Sequence, residues 1–115
     1  MTLQEYQERA MTTCLPHSKN LAYMLLNLVG EVGEIAGKVS KQIRKGEVGF
    51  YGYGNIHFNE GDDEPLKKEV GDVLWQLSGL CSVMGWSLED IAQQNLDKLA
   101  DRQQRGVIDS QGDNR

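Results

Sequence analysis

Long apolar runs are missing from this sequence of 115 residues. The longest, Leu21 to Val29, is interrupted by Asn27 and falls well short of the roughly 20 residues that a membrane-spanning helix needs. The acidic, amphipathic start has no basic segment leading into an apolar stretch, so no secretory leader is expected and a cytoplasmic location is. Positive charge is also scarce: 12 Lys and Arg against 17 Asp and Glu leave a net −5, which excludes a surface built to track a nucleic-acid backbone. The two cysteines, Cys14 and Cys81, are far apart and match no metal-binding spacing, so neither a disulfide scaffold nor a thiolate metal site is indicated. With only Pro16 and Pro65 as prolines, and 39% hydrophobic residues, the composition excludes disorder and fibrous repeats. No linker or internal repeat divides the chain, which reads as a single domain over residues 1–115 whose small core would gain from oligomerisation.

What is present is helical periodicity. Thr2-Leu3-Gln4-Glu5 has the form of a capping box and opens a first helix expected to run to about Thr13. A long second helix is expected from near Ser18 to Lys45, with Leu21, Leu25, Leu28, Val32, Ile35 and Val39 as its buried stripe and Gly46 as its stop. Residues 46–63 interleave glycines with Phe50, Tyr51, Tyr53, His57 and Phe58 and read as an irregular loop or a small hairpin, either packing on the bundle or on a partner subunit, or lying over a base. Asp62 or Asp63 is expected to cap a third helix that has Pro65 in its first turn and buries Leu66, Val70, Val73, Leu77, Leu80 and Met84. Ser87 caps a fourth, carrying Leu88, Ile91, Ala92, Leu96 and Leu99 and fading near Gly106, with residues 107–115 as a polar tail. The fold class is all-α, a four-helix arrangement.

Helix two contains Glu31-Val32-Gly33-Glu34 and helix three Glu69-Val70-Gly71-Asp72. Acidic residues three apart share a helix face. At about 100° per residue, Glu31 stands roughly 60° and Glu34 roughly 120° from Leu28, so both flank the apolar stripe. Packing the two helices could therefore gather all four carboxylates at one seam, where no neighbouring residue in sequence obviously offsets the charge. A divalent cation accounts for such a cluster, and an all-oxygen donor set points to Mg²⁺ or Mn²⁺. A di-iron site would want Glu-x-x-His, and zinc is disfavoured on the same ground. The plain alternative is a solvated acidic edge.

Gly30, Gly33, Gly37, Gly71 and Gly79 each cost a helix about 1 kcal/mol relative to Ala, which suits either tight helix packing or the close approach of a phosphate. Lys98, Arg102 and Arg105 form a basic stripe on helix four, suited to a polyphosphate or to surface pairing with Asp101 or Glu89. Asn95, amid Leu88, Ile91 and Leu99, could hold a structural network or read a base edge.

Together these segments resemble the all-α nucleotide pyrophosphohydrolases of the MazG-like superfamily. The likeness runs through Tyr6-Gln7, Ala10 and Thr13, through Leu21-Ala22-Tyr23 to Glu34, through Glu69 to Trp75, and through Asn95 to Leu99 with Arg102, Arg105 and Gly106; Gly112 to Arg115 resembles a tail of such proteins. The resemblance implies a dimer or dimer of dimers and Mg²⁺ on Glu31, Glu34, Glu69 and Asp72. It also implies a nucleoside triphosphate cleaved to monophosphate and pyrophosphate by attack of water on the α-phosphorus. Glu34 is the expected base; Lys38, Lys98 and Arg102 are expected at phosphates and Asn95 at the nucleobase, with Arg115 closing over a neighbour's substrate. Gly30 stands where many relatives carry a further acidic residue, which leaves the metal count open. Relatives acting on phosphoribosyl-ATP or dUTP share the metal motif, and a non-catalytic helical partner protein is the alternative of another class.

Overall fold

The computed structural model describes residues 1–109; the Gly112–Arg115 tail lies outside the described residues. Helix α1 spans Leu3–Met11, and the expected capping box is present: Thr2 Oγ1 accepts from Glu5 N while Glu5 returns a carboxylate to Thr2 N. It stops two residues before Thr13, because the Thr12 and Thr13 hydroxyls donate to the Arg9 and Ala10 carbonyls and a 3₁₀ turn at Pro16–Ser18 follows. Helix α2, Leu21–Arg44, begins later than Ser18, with Asn20 as its cap accepting from Tyr23 N at 2.8 Å. Gly46 takes the left-handed backbone that ends it.

Residues 46–63 form a hairpin. Strand β1, Val48–Tyr51, pairs antiparallel with β2, Asn55–Phe58, in the register Val48 with Phe58 and Tyr51 with Asn55. Tyr53 and Gly54 both adopt positive φ in the connection. Phe50 and Tyr53 project into solvent, whereas Phe58 is half-buried and lines a cleft of about 330 Å³ with Asp63, Leu66, Lys67 and Val70. The segment is thus a small hairpin, and its Phe58 faces the start of the following helix across that cleft.

Helix α3 spans Glu64–Met84 and ends at Gly85 in the left-handed region. Asp63 holds the N-cap position but makes no capping hydrogen bond, a correction to expectation: its backbone is already helical, and its carboxylate turns to Lys67 Nζ at 3.6 Å. Helix α4, Leu88–Arg105, is capped by Ser87, which accepts from Asp90 N, and closes at Gly106.

The packing departs from the periodicity in an instructive way. Helix α3 packs against α2 and α1, and α4 against α1 and α3. Among the described residues the buried apolar side chains are Cys14, Met24 and Cys81, accompanied by Gln7, Gln76, Ser78 and Arg102. Leu21, Leu25 and Val32 of the expected α2 stripe, Val70 and Met84 of α3, and Ile91, Leu96 and Leu99 of α4 are all exposed. The radius of gyration is 17.5 Å, against about 13 Å for a compact chain of this length.

The seam that is buried relies on hydrogen bonds and on one close approach. Gln7 donates to Ser82 Oγ and the Trp86 carbonyl and accepts from Leu88 N, fastening α1 to the α3–α4 turn. Trp75 Nε1 donates to the Ala10 carbonyl and Thr13 Oγ1. A Cβ on Gly79 would collide with the Met24 thioether, so tight packing accounts for that glycine. Gly33, Gly37 and Gly71 have nothing within 4 Å of where a Cβ would stand.

Candidate metal centre

Glu31 stands midway along α2, and Glu69 and Asp72 lie one turn apart on α3. Packing of the two helices brings one oxygen from each to within 4.8 Å of the others. Burial, then the charge of Asp72, then those of Glu69 and Glu34 push the Glu31 carboxyl above the ordinary carboxylate range, and a hydrogen bond from Asn27 opposes them. Asp72 also faces α1: burial and that negative charge raise the Tyr6 phenol above its usual value.

The sequence suggested no counter-charge, and the structure supplies one. Lys38 Nζ lies 2.8 Å from Glu69 Oε1, and the Glu69 side chain is only 12% exposed. That hydrogen bond, with the charges of Glu69, Glu34 and Asp72, holds the Lys38 ammonium in its charged form beyond the usual range. The pairing was hidden because Lys38 and Glu69 are brought together by the α2–α3 register, which periodicity within one helix does not reveal.

The expected fourth carboxylate, Glu34, is exposed and stands outside the group of three. Three residues along a helix turn it roughly 60° round from Glu31. Its charge still reaches Glu31 and Lys38. Gly33 and Gly71, adjacent to Glu34 and Asp72, leave open space beside these carboxylates.

Asn95, Lys98 and Arg102 lie on α4, away from the α2–α3 seam that carries the carboxylates. Asn95 is exposed and so does not sit at the helix seam expected of it, since α4 presents that side outward; Lys98 is exposed as well, and Arg102 is buried. Arg105 pairs with Asp101 at 2.9 Å, the surface pairing that the basic stripe permitted.

Sequence reasoning missed the amides behind the site. Asn27 Nδ2 donates to Glu31 Oε1 and to Gln76 Oε1, and Gln76 is 1% exposed. The signal was available: Asn27 precedes Glu31 by one turn, Gln76 follows Asp72 by one turn, and both interrupt apolar stretches.

The donor set is three carboxylates with no His or Cys in the group among the described residues, which fits a hard divalent cation such as Mg²⁺ or Mn²⁺. No helix of the described residues is long and apolar enough to cross a membrane.

Comparison with known proteins agrees with this geometry. The family model for the MazG nucleotide pyrophosphohydrolase domain matches residues 19–107, which include all three clustered carboxylates. The "Gene 37 protein" of Mycobacterium phage L5 is 41% identical over 97 residues, 84% of this chain and 78% of the phage protein. No solved structure matches the chain.

Proposed function

The chain belongs to the MazG nucleotide pyrophosphohydrolase family, and from that premise we propose that it cleaves a nucleoside or deoxynucleoside triphosphate to the monophosphate and pyrophosphate in a Mg²⁺-dependent reaction. The observation that carries the reading is the convergence of Glu31, Glu69 and Asp72 from two helices onto one point beside Lys38. Glu31, Glu69 and Asp72 would hold the cation, with Glu34 adding charge at its edge. Bound there, a divalent cation would offset phosphate charge and acidify a water.

Water attacks the α-phosphorus, the bond from that phosphorus to the bridging oxygen breaks, and pyrophosphate leaves. Glu34, exposed and outside the group of three, takes the water's proton. Lys38 exchanges Glu69 for a phosphate oxygen; Lys98 and Asn95, exposed on α4, would meet the remaining phosphates and the base from a second copy, whereas the buried Arg102 would reach a phosphate only after α4 shifts.

The site also calls for a second copy of the chain, as a homodimer or dimer of dimers. Leu26 and Val29 on the outer side of α2 are 76% and 72% exposed, and Leu96 and Leu99 leave an apolar strip on the helix that carries the phosphate-binding candidates.

The test is pyrophosphate release from a panel of NTPs and dNTPs with Mg²⁺, Mn²⁺ or EDTA, followed by identification of the nucleotide product. Metal-dependent formation of a monophosphate is expected, with Glu69→Gln lowering the rate at least about 100-fold. Full activity of Glu69→Gln at saturating Mg²⁺ would overturn the metal assignment, and silence across the panel would overturn the reaction.

A further inference from the structure

We propose that Asn27 is a positioning residue, locked in one orientation by the buried Gln76 so that it holds the Glu31 carboxylate ready for a divalent cation. The inference rests on the metal reading above and concerns side chains that touch neither the cation nor the substrate.

Polar satisfaction permits only one arrangement of these groups. Gln76 Nε2 donates to the Met24 carbonyl at 3.3 Å and to Met24 Sδ at 3.1 Å. Its Oε1 is thereby turned towards Asn27, whose Nδ2 donates to it at 2.7 Å. An amide nitrogen carries two hydrogens, and the second reaches Glu31 Oε1 at 3.3 Å. Flipping Asn27 sets its oxygen against Gln76 Oε1 and Glu31 Oε1, and flipping Gln76 sets its oxygen against the Met24 carbonyl and donor against donor at Asn27, so the amide orientation is determined from the core outward. The anchor is rigid: Met24 is wholly buried, and Gly79 supplies the room its thioether occupies.

The consequence falls on Glu31. A glutamate has several freely rotating bonds, and ordering such a side chain costs conformational entropy. Repulsion from Asp72 and Glu69 favours rotamers that swing the carboxylate out to solvent. Asn27 opposes that motion with a donor fixed before any cation arrives. Partners of metal-ligating side chains typically alter metal affinity about 10–100-fold when removed.

Titrating the intact protein with Mn²⁺ alone and following free Mn²⁺ by electron paramagnetic resonance tests this. Asn27→Leu is expected to raise the Mn²⁺ dissociation constant about 10-fold or more. Because that variant leaves Gln76 Oε1 buried without a donor, Asn27→Leu/Gln76→Leu is measured beside it. Replacing both partners of a buried hydrogen bond by apolar groups is often nearly neutral for stability, so the double variant should recover the wild-type melting temperature and still bind Mn²⁺ about 10-fold or more weakly. If the double variant recovers both, or loses less than about 10-fold, the amides are structural and the proposal falls. If the wild-type protein binds no Mn²⁺, and so matches Glu69→Gln, the metal reading fails and takes this one with it.

Discussion

On the side of α2 that meets α3, Met24, Asn27, Glu31 and Lys38 succeed one another; on the opposite side Leu25, Leu26, Val29 and Val32 face solvent. The inner side mixes these polar groups with the half-buried Leu28, Ile35 and Val39, whereas the outer side leaves its apolar residues in solvent. Hydrophobicity located α2 and the covered half of its expected stripe, Leu28, Ile35 and Val39, but did not separate these from the apolar residues that the chain leaves exposed. Under the proposed oligomer the apolar side is the face a second copy would bury, and under the proposed metal reading the polar inner side is the one that carries the site.

The sharpest way to break this comparison is to charge the outer side. Leu26→Glu/Val29→Glu should convert an oligomer to a monomer in sedimentation equilibrium, an all-or-none change; a wild-type protein that is already monomeric would remove the contrast. Next in size is the inner seam: Gln7→Leu strands the Trp86 carbonyl and Leu88 N, and urea denaturation should show a loss of about 2–4 kcal/mol. Smaller, and opposite in sign, is Glu31→Gln in EDTA. It keeps an acceptor for Asn27 and removes the charge that Asp72, Glu69 and Glu34 repel, so the metal-free melting temperature should rise by a few degrees while Mn²⁺ binding is lost. Least is Gly71→Ala, expected to stabilise by up to about 1 kcal/mol in a metal-free melt, since nothing in the chain occupies the Cβ position. Destabilisation instead would mean that another copy packs there.

Much of the fold was legible because it is written locally. Thr2 with Glu5, Ser87, Gly46, Gly85 and Gly106 mark helix ends through contacts within four or five residues. The acidic pairs were legible as a spacing, and three of their four members converge. What stayed hidden depends on register between elements: the Lys38–Glu69 pair, the Asn27–Gln76 link, and the exclusion of Glu34 from the group of three. The Asp63 cap failed because a lysine one turn on competes for the same carboxylate.

Helix α1 precedes the family-matched stretch, yet Gln7 joins it to two other parts of the chain and Tyr6 responds to Asp72. It acts as a splint laid across the joint between α3 and α4. A fragment trimmed to the matched residues would keep every acidic ligand and lose the brace that sets the angle of the helix bearing Asn95, Lys98 and Arg102. Cut there, the protein would retain the parts of the proposed site without the jig that aligns them.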